Sequence, residues 1–426
     1  MRTWIRRGDH PTRIEGSSVS RRRLLMVVMG ILIVVAALGS RTSAGRSLVS
    51  SLPGKFMGTP PTPVWQLPSP WFGLLQTSGD HNGEERGAGI NVATLSLAWS
   101  RYEPQRGQFD TAYIAAERAR LNSFLRDGLH VTLDAGLQYP PPWVFTLDPN
   151  TRYIDQYGDV WHGKVSEEVP DAVHDPNVRQ AEAQYVARIA ADMGDRFFAI
   201  RAGGLLGSEL RYPPTNYLGH SNCYWAFNQW AQQQSSVPGW RPGGAGTTEA
   251  GHFLDEYLSA ITAYQNWVLR TFREKFSGWL QVLYPSFGLR PGDIPTAVAS
   301  NLDGSTEAAS HGTLSMGLDW ERQVATIPVG RVIVYTTWLD MQDTGEGPTR
   351  WSPVRYLLSL AQPRGLSVAG ENTGDNSAAD VARVVALVRS LHLDGMMWMN
   401  ETQLSQPGDA TLADYAAAIS GHAGGR

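Results

Sequence analysis

The chain has 426 residues, of which 42% are hydrophobic and 18% are charged, and its formal net charge is −4. This balance is typical of a folded globular protein and excludes wholesale disorder, while the lack of excess positive charge argues against a nucleic-acid partner. The single cysteine, Cys223, excludes an internal disulfide and any metal site built from several cysteines.

Residues 1–44 have the pattern of an export signal. An apolar run from Leu24 to Leu38 follows three consecutive arginines, Arg21–Arg23, which resemble a twin-arginine signal. A run of about 15 apolar residues suits a signal peptide and is short for a membrane span, which needs ~20, although an uncleaved anchor is the alternative. We therefore expect an extracellular protein, or one on the outer face of the cell membrane, in which residues 45–70 form a linker rich in Pro, Ser and Gly.

From residue 71 onward, short apolar runs alternate with longer helical patterns. Near-continuous apolar runs are typical of strands that are buried on both faces. The predicted strands are Phe72–Gln76, Val92–Trp99, His130–Leu133, Phe197–Leu205, Leu280–Tyr284, Val332–Thr337, Leu366–Ala369 and Gly395–Trp398. Eight strands with helices between them predict a single α/β domain, a (β/α)8 barrel over residues 71–426.

Two long connections are expected to lie at the catalytic face of this barrel. Residues 135–176 follow the third predicted strand and residues 206–251 follow the fourth, and both are rich in Pro, Gly and aromatic residues. Active sites of such barrels lie at the carboxyl ends of the strands, and connections of this length are usually functional.

Two glutamates follow predicted strands at that face. Glu209 comes shortly after the fourth strand and Glu371 directly after the seventh. A pair of opposed carboxyl groups is what glycosidic cleavage requires, so we assign Glu209 as the proton donor and Glu371 as the nucleophile or base. Glu401, after the eighth strand, is a reserve carboxylate. In the non-catalytic alternative, Glu209 pairs with Arg211 and Glu371 caps a turn.

Residues 92–144 resemble the catalytic domain of glycoside hydrolase family 42, the β-galactosidase-like barrels. The matching segments are residues 98–104 (Ala-Trp-Ser-Arg-Tyr-Glu-Pro), 107–110 (Gly-Gln-Phe-Asp), 128–133 (Gly-Leu-His-Val-Thr-Leu) and 141–143 (Pro-Pro-Trp). The resemblance implies a retaining hydrolase with its acid/base at the end of the fourth strand and its nucleophile at the end of the seventh. Those positions are Glu209 and Glu371.

The segments around both glutamates are also similar to β-amylase motifs. Family 42 members usually have Asn before the acid/base, whereas this chain has Ser208, and residues 207–213 and 369–372 resemble the acid and base motifs of β-amylases. β-Amylases invert, so an inverting α-glucan hydrolase is a second hypothesis. The carboxyl separation decides between them, roughly 5–5.5 Å for retention and roughly 6.5–9.5 Å for inversion. A non-catalytic carbohydrate-binding barrel is a third hypothesis.

An oligo- or polysaccharide substrate needs aromatic platforms for its apolar faces and polar side chains for its hydroxyls. We expect these residues near the strand ends to bind substrate: Asp134, Trp143, Tyr212, Tyr284, Trp338, Asn372 and Trp398. The histidines in predicted loops lack metal-binding spacing, so we predict no metal and no cofactor. The sequence does not predict an oligomer.

Overall fold

The computed structural model describes residues 65–66, 69–163, 168–373 and 376–421. These residues form a closed barrel of eight parallel strands in sequential order. The strands are β1 Trp71–Leu74, β2 Val92–Ser96, β3 His130–Asp134, β4 Ala199–Arg201, β5 Trp279–Tyr284, β6 Val332–Thr336, β7 Ser367–Glu371 and β8 Gly395–Trp398. Pairing of β1 with β8 closes the barrel, which confirms the predicted (β/α)8 fold.

Helices connect the strands on the outside of the barrel. The α-helices of the described residues are Asn82–Gly87, Trp99–Tyr102, Thr111–Arg126, Pro176–Met193, Gln229–Gln234, Thr247–Arg273, Asp293–Ala299, Glu307–Ser310, Trp320–Ala325, Pro353–Ala361, Ala378–Ser390 and Leu412–Ser420. Short 3-10 helices span Pro142–Thr146, Leu206–Ser208, Gln362–Arg364 and Glu401–Ser405. The predicted leader and residues 45–64 lie outside the described residues. Within the described residues, no helix is both long enough and apolar enough to cross a membrane.

The helix boundaries follow from local sequence. The helix Pro176–Met193 begins after Asp175, whose carboxylate accepts a hydrogen bond from the backbone of Asn177, and it ends at Gly194 with a positive φ of 74°. An aspartate cap, a proline at the first helical position and a glycine after the last turn each match the requirements of a helix end.

The second and fourth predicted strands end three and four residues earlier than expected. The second ends at Ser96, and the next residues turn into the short helix Trp99–Tyr102. The fourth is only Ala199–Arg201, because the chain turns back at Gly203, where an added Cβ would lie 1.7 Å from the carbonyl oxygen of Ser208. A side chain cannot occupy that space, so the turn that follows β4 requires glycine.

The two long connections after β3 and β4 pack against each other. The side chain of Gln156 donates to the carbonyl of Asn222 at 2.7 Å and accepts from the amide of Tyr224 at 2.8 Å. Trp161 of the first connection meets Trp225 of the second edge to face, with ring centroids 5.6 Å apart. Both connections start at the carboxyl ends of their strands, so together they form one layer at the catalytic face.

A buried carboxyl group between two barrel helices makes stability depend on pH. Glu182 lies inside Pro176–Met193, and the hydroxyl of Tyr264 donates to its Oε2 at 3.3 Å. Burial raises the pKa of Glu182 to about 8, although the Tyr264 hydroxyl and Arg179 act in the opposite direction. Between about pH 4.5 and pH 8 the unfolded chain releases a proton that the folded chain retains, so this group makes stability fall as pH rises.

We expect Glu182→Gln to remove the loss of stability that Glu182 causes at high pH, because the amide carries no charge and its oxygen still accepts from Tyr264. The free energy of unfolding should rise by a few kcal/mol near about pH 8 and change little near about pH 4, as measured by urea denaturation. Glu307→Gln is the control, since the side chain of Glu307 is 88% exposed. An equal effect of Glu182→Gln at both pH values would contradict the argument.

Candidate active site

Glu371 is the last residue of β7 and is almost fully buried. Arg201, the last residue of β4, holds it with two hydrogen bonds, from Nη1 to Oε2 at 2.8 Å and from Nη2 to Oε1 at 3.4 Å. The two strands are not neighbours in the barrel, so the ion pair reaches across its interior. A carboxylate held through both oxygens is fixed in orientation.

Arg201 is itself surrounded by groups that favour its positive charge. Burial works to lower the pKa of Arg201, but Glu371, Tyr335 and Asp134 outweigh it and raise the pKa above its ordinary value. Its guanidinium lies 5.5 Å from the centroid of the Tyr335 ring. Burial raises the pKa of Tyr335 well above its ordinary value, and the negative charge of Glu371 adds to this effect. The tyrosine is therefore a neutral side chain beside the ion pair.

Glu209 follows the 3-10 turn Leu206–Ser208 and is only partly buried. Arg211 Nε donates to its Oε2 at 2.8 Å, and the hydroxyl of Thr337 donates to its Oε1 at 2.8 Å. The pairing with Arg211, which the sequence left open as a non-catalytic role, is thus present. The groups that contact this carboxylate are therefore a cation and a hydroxyl.

Thr337 connects the positions of the two glutamates. Thr337 directly follows β6, whose last residue Thr336 is paired with Gly370 of β7. Glu371 is the next residue of β7, and its carbonyl accepts from the amide of Leu339 at 2.9 Å. The same Thr337 donates to Glu209. Glu209 and Glu371 therefore both lie at the carboxyl-terminal rim of the barrel, Glu209 bonded to Thr337 and Glu371 at the end of the strand next to β6.

Asp134 and Trp338 also lie at this rim. Asp134 ends β3 and accepts from Gln138 Nε2 at 3.0 Å and from Ser208 Oγ at 3.4 Å. Burial raises the pKa of Asp134, and the charge of Arg201 opposes the rise. Trp338 is half-buried and lies edge to face with Phe287, with centroids 5.2 Å apart. Among the predicted substrate-binding residues, Asp134 and Trp338 lie at the same rim as the glutamates and keep part of their surface exposed.

Three predicted substrate-binding residues are packing residues instead. Tyr212, Tyr284 and Trp398 have no exposed surface. The Tyr212 hydroxyl donates to the carbonyl of Tyr257, and the Tyr284 hydroxyl donates to Gln265. They therefore offer no surface to a sugar, and they fill the layer between the barrel and its helices, as large rings near strand ends often do.

The remaining predicted residues have structural contacts. Trp143 is half-buried and donates its indole N–H to the carbonyl of Glu103 at 3.0 Å. Asn372 is fully buried, and its Oδ1 accepts from the amide of Met399 at 2.7 Å, which ties the end of β7 to the segment after β8. The reserve carboxylate Glu401 accepts from the amide and the hydroxyl of Ser78 at 2.6 and 2.9 Å.

Thr337, Tyr335 and the pairing of Arg201 with Glu371 were not identified from the sequence as parts of the site. The available signal was the presence of polar side chains in strands that are otherwise apolar, such as Tyr335 within Val332–Thr336. Among the described residues, no group of His, Cys, Asp and Glu side chains is arranged to hold a metal ion.

The closed barrel with acidic residues at its rim places the chain in the class of (β/α)8 proteins that includes many glycosidases. Residues 83–234 match the family model of glycoside hydrolase family 42, described as β-galactosidase. The predicted resemblance is confirmed, and the match supports a glycosidase. It includes Glu209 and ends before Glu371. No curated protein matches the chain in sequence.

Solved structures with the same fold include two kinds of glycosidase. The catalytic domain of a β-amylase from Paenibacillus polymyxa has a TM-score of 0.60 at 16% identity, over 83% of this chain and 99% of that one. A β-galactosidase from the Antarctic haloarchaeon Halorubrum lacusprofundi has a TM-score of 0.53 at 13% identity, and one from Marinomonas ef1 has 0.50 at 13%. The alignments cover 83% and 82% of this chain and 58% of each β-galactosidase. The structural similarity shows a shared fold, and at these low identities it shows no more than that.

Proposed function

We propose that the protein hydrolyses O-glycosidic bonds, with Glu209 as proton donor and Glu371 as nucleophile or base. The observation that carries the proposal is that Glu209 accepts from Thr337, the residue directly after β6, while Glu371 ends the neighbouring strand β7, so both glutamates lie at the rim of the barrel. Each residue ends or follows a different strand, which is how such barrels assemble a site from distant parts of the chain.

The different surroundings of the two carboxylates support their different roles. Arg201 holds both oxygens of Glu371 and so fixes the orientation of the side chain, which suits attack on an anomeric carbon or activation of a water. Glu209 is more exposed and is held at the rim by Arg211 and Thr337, a position from which a carboxyl group can reach a leaving oxygen. Asp134 and Trp338 would bind the hydroxyls and the apolar face of the sugar.

Our first candidate is a retaining, β-galactosidase-like hydrolase of an oligo- or polysaccharide, in line with the family match of residues 83–234. An inverting hydrolase of α-glucan is the second candidate, because residues 207–213 and 369–372 carry motifs similar to those of β-amylases. The basic and apolar leader supports export, either as a secreted protein or as one tethered at the outer face of the membrane.

The test is a screen of the purified chain on aryl glycosides and on plant and microbial polysaccharides, followed by proton NMR of the first product. We expect cleavage of a β-galactoside with release of the β-anomer. The α-anomer from a β-linked substrate, or the β-anomer from α-glucan, would identify the inverting candidate instead. Saturable glycan binding without cleavage of any substrate would favour the carbohydrate-binding alternative and contradict the proposal.

A further inference from the structure

A polar cavity that contains neither glutamate lies among the loops of the catalytic face. Its walls come from three connections, with Tyr157 after β3, Asn216 after β4 and Ser310 after β5. All three connections leave the carboxyl ends of their strands, so the cavity opens on the same face of the barrel as the rim. Its volume is about 200 Å³. Pockets that enclose a whole drug-sized ligand measure ~300–1,000 Å³, so this cavity suits one unit of a longer molecule.

Hydrogen bonds between the three connections hold the walls of the cavity in place. The side chain of Gln156 donates to the carbonyl of Asn222 at 2.7 Å, and Asn222 Nδ2 donates to the carbonyl of Leu302 at 2.8 Å. The hydroxyl of Tyr157 donates to the carbonyl of Ser221 at 3.3 Å. A cavity whose walls are tied together in this way is formed before a ligand arrives, which lowers the entropic cost of binding.

The chemistry of the walls fits a neutral ligand that is rich in hydroxyl groups. Tyr157 is 48% exposed, and its ring is held by stacking on the ring of His220, with centroids 4.0 Å apart. Among the described residues that line the cavity, none is Lys, Arg or His, so none would offset the charge of an anionic ligand. An exposed ring beside polar groups is what a sugar unit requires. The exposed polar side chains on the walls are Asn216, Ser221, Asp303 and Ser310.

A row of rings leads from the rim toward this cavity. Trp338, which lies at the rim, meets Phe287 edge to face, and the Phe287 ring lies 6.5 Å from the ring of His311. Each of these three side chains keeps part of its surface exposed. Ser310, the residue before His311, lines the cavity. A glycan bound at the rim can therefore follow exposed rings to the cavity.

We propose that this cavity, the Tyr157 subsite, binds a neutral sugar unit of a glycan chain whose cleaved bond lies at the two glutamates. The inference rests on the proposed function and narrows it, because the substrate is then a chain of several sugar units and not a disaccharide. Binding of a remote unit supplies energy that a short substrate cannot obtain, and this energy holds the chain at the rim.

The test compares Tyr157→Ala and Asn216→Ala with the wild-type full chain on a long glycan and on an aryl monoglycoside of the same sugar. The long glycan is a β-linked galactan or amylose, whichever the wild-type chain cleaves. The aryl monoglycoside does not reach the subsite. We therefore expect kcat/KM on the long glycan to fall more than on the aryl monoglycoside, by a further factor of about 10 for Tyr157→Ala and about 3 for Asn216→Ala.

Leu218→Ala is the matched control, because Leu218 is 69% exposed on the same connection as Asn216 and does not line the cavity. It should change neither rate. Equal losses on both substrates in Tyr157→Ala and Asn216→Ala, or no loss on the long glycan, would overturn the inference. Thermal unfolding checks the fold of each variant, and the exposed position of Asn216 supplies the answer if Tyr157→Ala does not fold.

Binding measurements separate this inference from the proposed function. Calorimetric titration of Glu371→Gln with the galactan, amylose and the polyanion polygalacturonate follows binding without cleavage. Adding Tyr157→Ala should weaken binding of the neutral glycan about 10-fold. If the wild-type chain cleaves no glycan and Tyr157→Ala still weakens binding, the proposed function fails and the subsite remains as a glycan-binding site. If the wild-type chain cleaves the glycan and Tyr157→Ala changes neither binding nor cleavage, the subsite fails alone. Binding of polygalacturonate as tight as that of the neutral glycans would contradict a neutral ligand.

Discussion

Glu371→Gln should lower kcat on the order of 10⁴-fold or more while the protein remains folded. The substitution keeps the size of the side chain and an oxygen that can accept from Arg201, but it removes the negative charge that attack or water activation requires. Turnover of a chromogenic glycoside measures the loss, and thermal unfolding checks the fold. Glu321→Gln is the matched control, because Glu321 lies on an outer helix and accepts from the Tyr356 hydroxyl.

Glu371→Ala extends this test to the stereochemistry. If Glu371 is a nucleophile, the shortened side chain leaves room for a small anion, and added azide should restore turnover and yield a glycosyl azide of inverted configuration. An inverted glycosyl azide places Glu371 opposite the leaving group in either mechanism, and the first anomer released by the wild-type chain tells a nucleophile from a base. Activity of Glu371→Gln close to that of the wild-type chain would remove Glu371 from the mechanism.

Glu209→Ala should lower kcat by about 10²–10⁴-fold on substrates with a poor leaving group and far less on activated aryl glycosides. A proton donor is needed only where the departing oxygen is a strong base, so the loss should depend on the leaving group. The alkaline limb of the pH profile should also flatten, because the group that must stay protonated is gone. Parallel kinetics on aryl glycosides of graded acidity measure both effects.

The control for Glu209 is Glu401→Gln. Glu401 was the reserve carboxylate, but its two oxygens are occupied by Ser78, so its loss should change kcat little for any leaving group. A leaving-group dependence in Glu401→Gln, together with none in Glu209→Ala, would transfer the donor role to Glu401. A uniform loss in Glu209→Ala for all substrates would indicate that this residue supports the rim through Thr337 and does not donate a proton.

The barrel could be predicted from the sequence because its strands are buried on both faces, which leaves nearly continuous apolar runs between amphipathic helices. The lengths of β2 and β4 could not be predicted, because an apolar run does not show where the hydrogen bonds between neighbouring strands end. β4 ends early because the turn that follows it leaves no room for a side chain at Gly203. The aromatic platforms were only partly predictable, because Tyr212 and Trp338 both follow strands and yet only Trp338 is partly exposed.

By itself, the sequence determined the eight-strand barrel and the two glutamates at its strand ends, because both depend on local patterns of apolar and polar residues. Only the tertiary structure decided which groups these glutamates contact. Arg201 and Glu371 are separated by 170 positions, and Thr337 and Glu209 by 128. Closure of the barrel brings such distant residues together, and no local pattern records which side chains will meet across it.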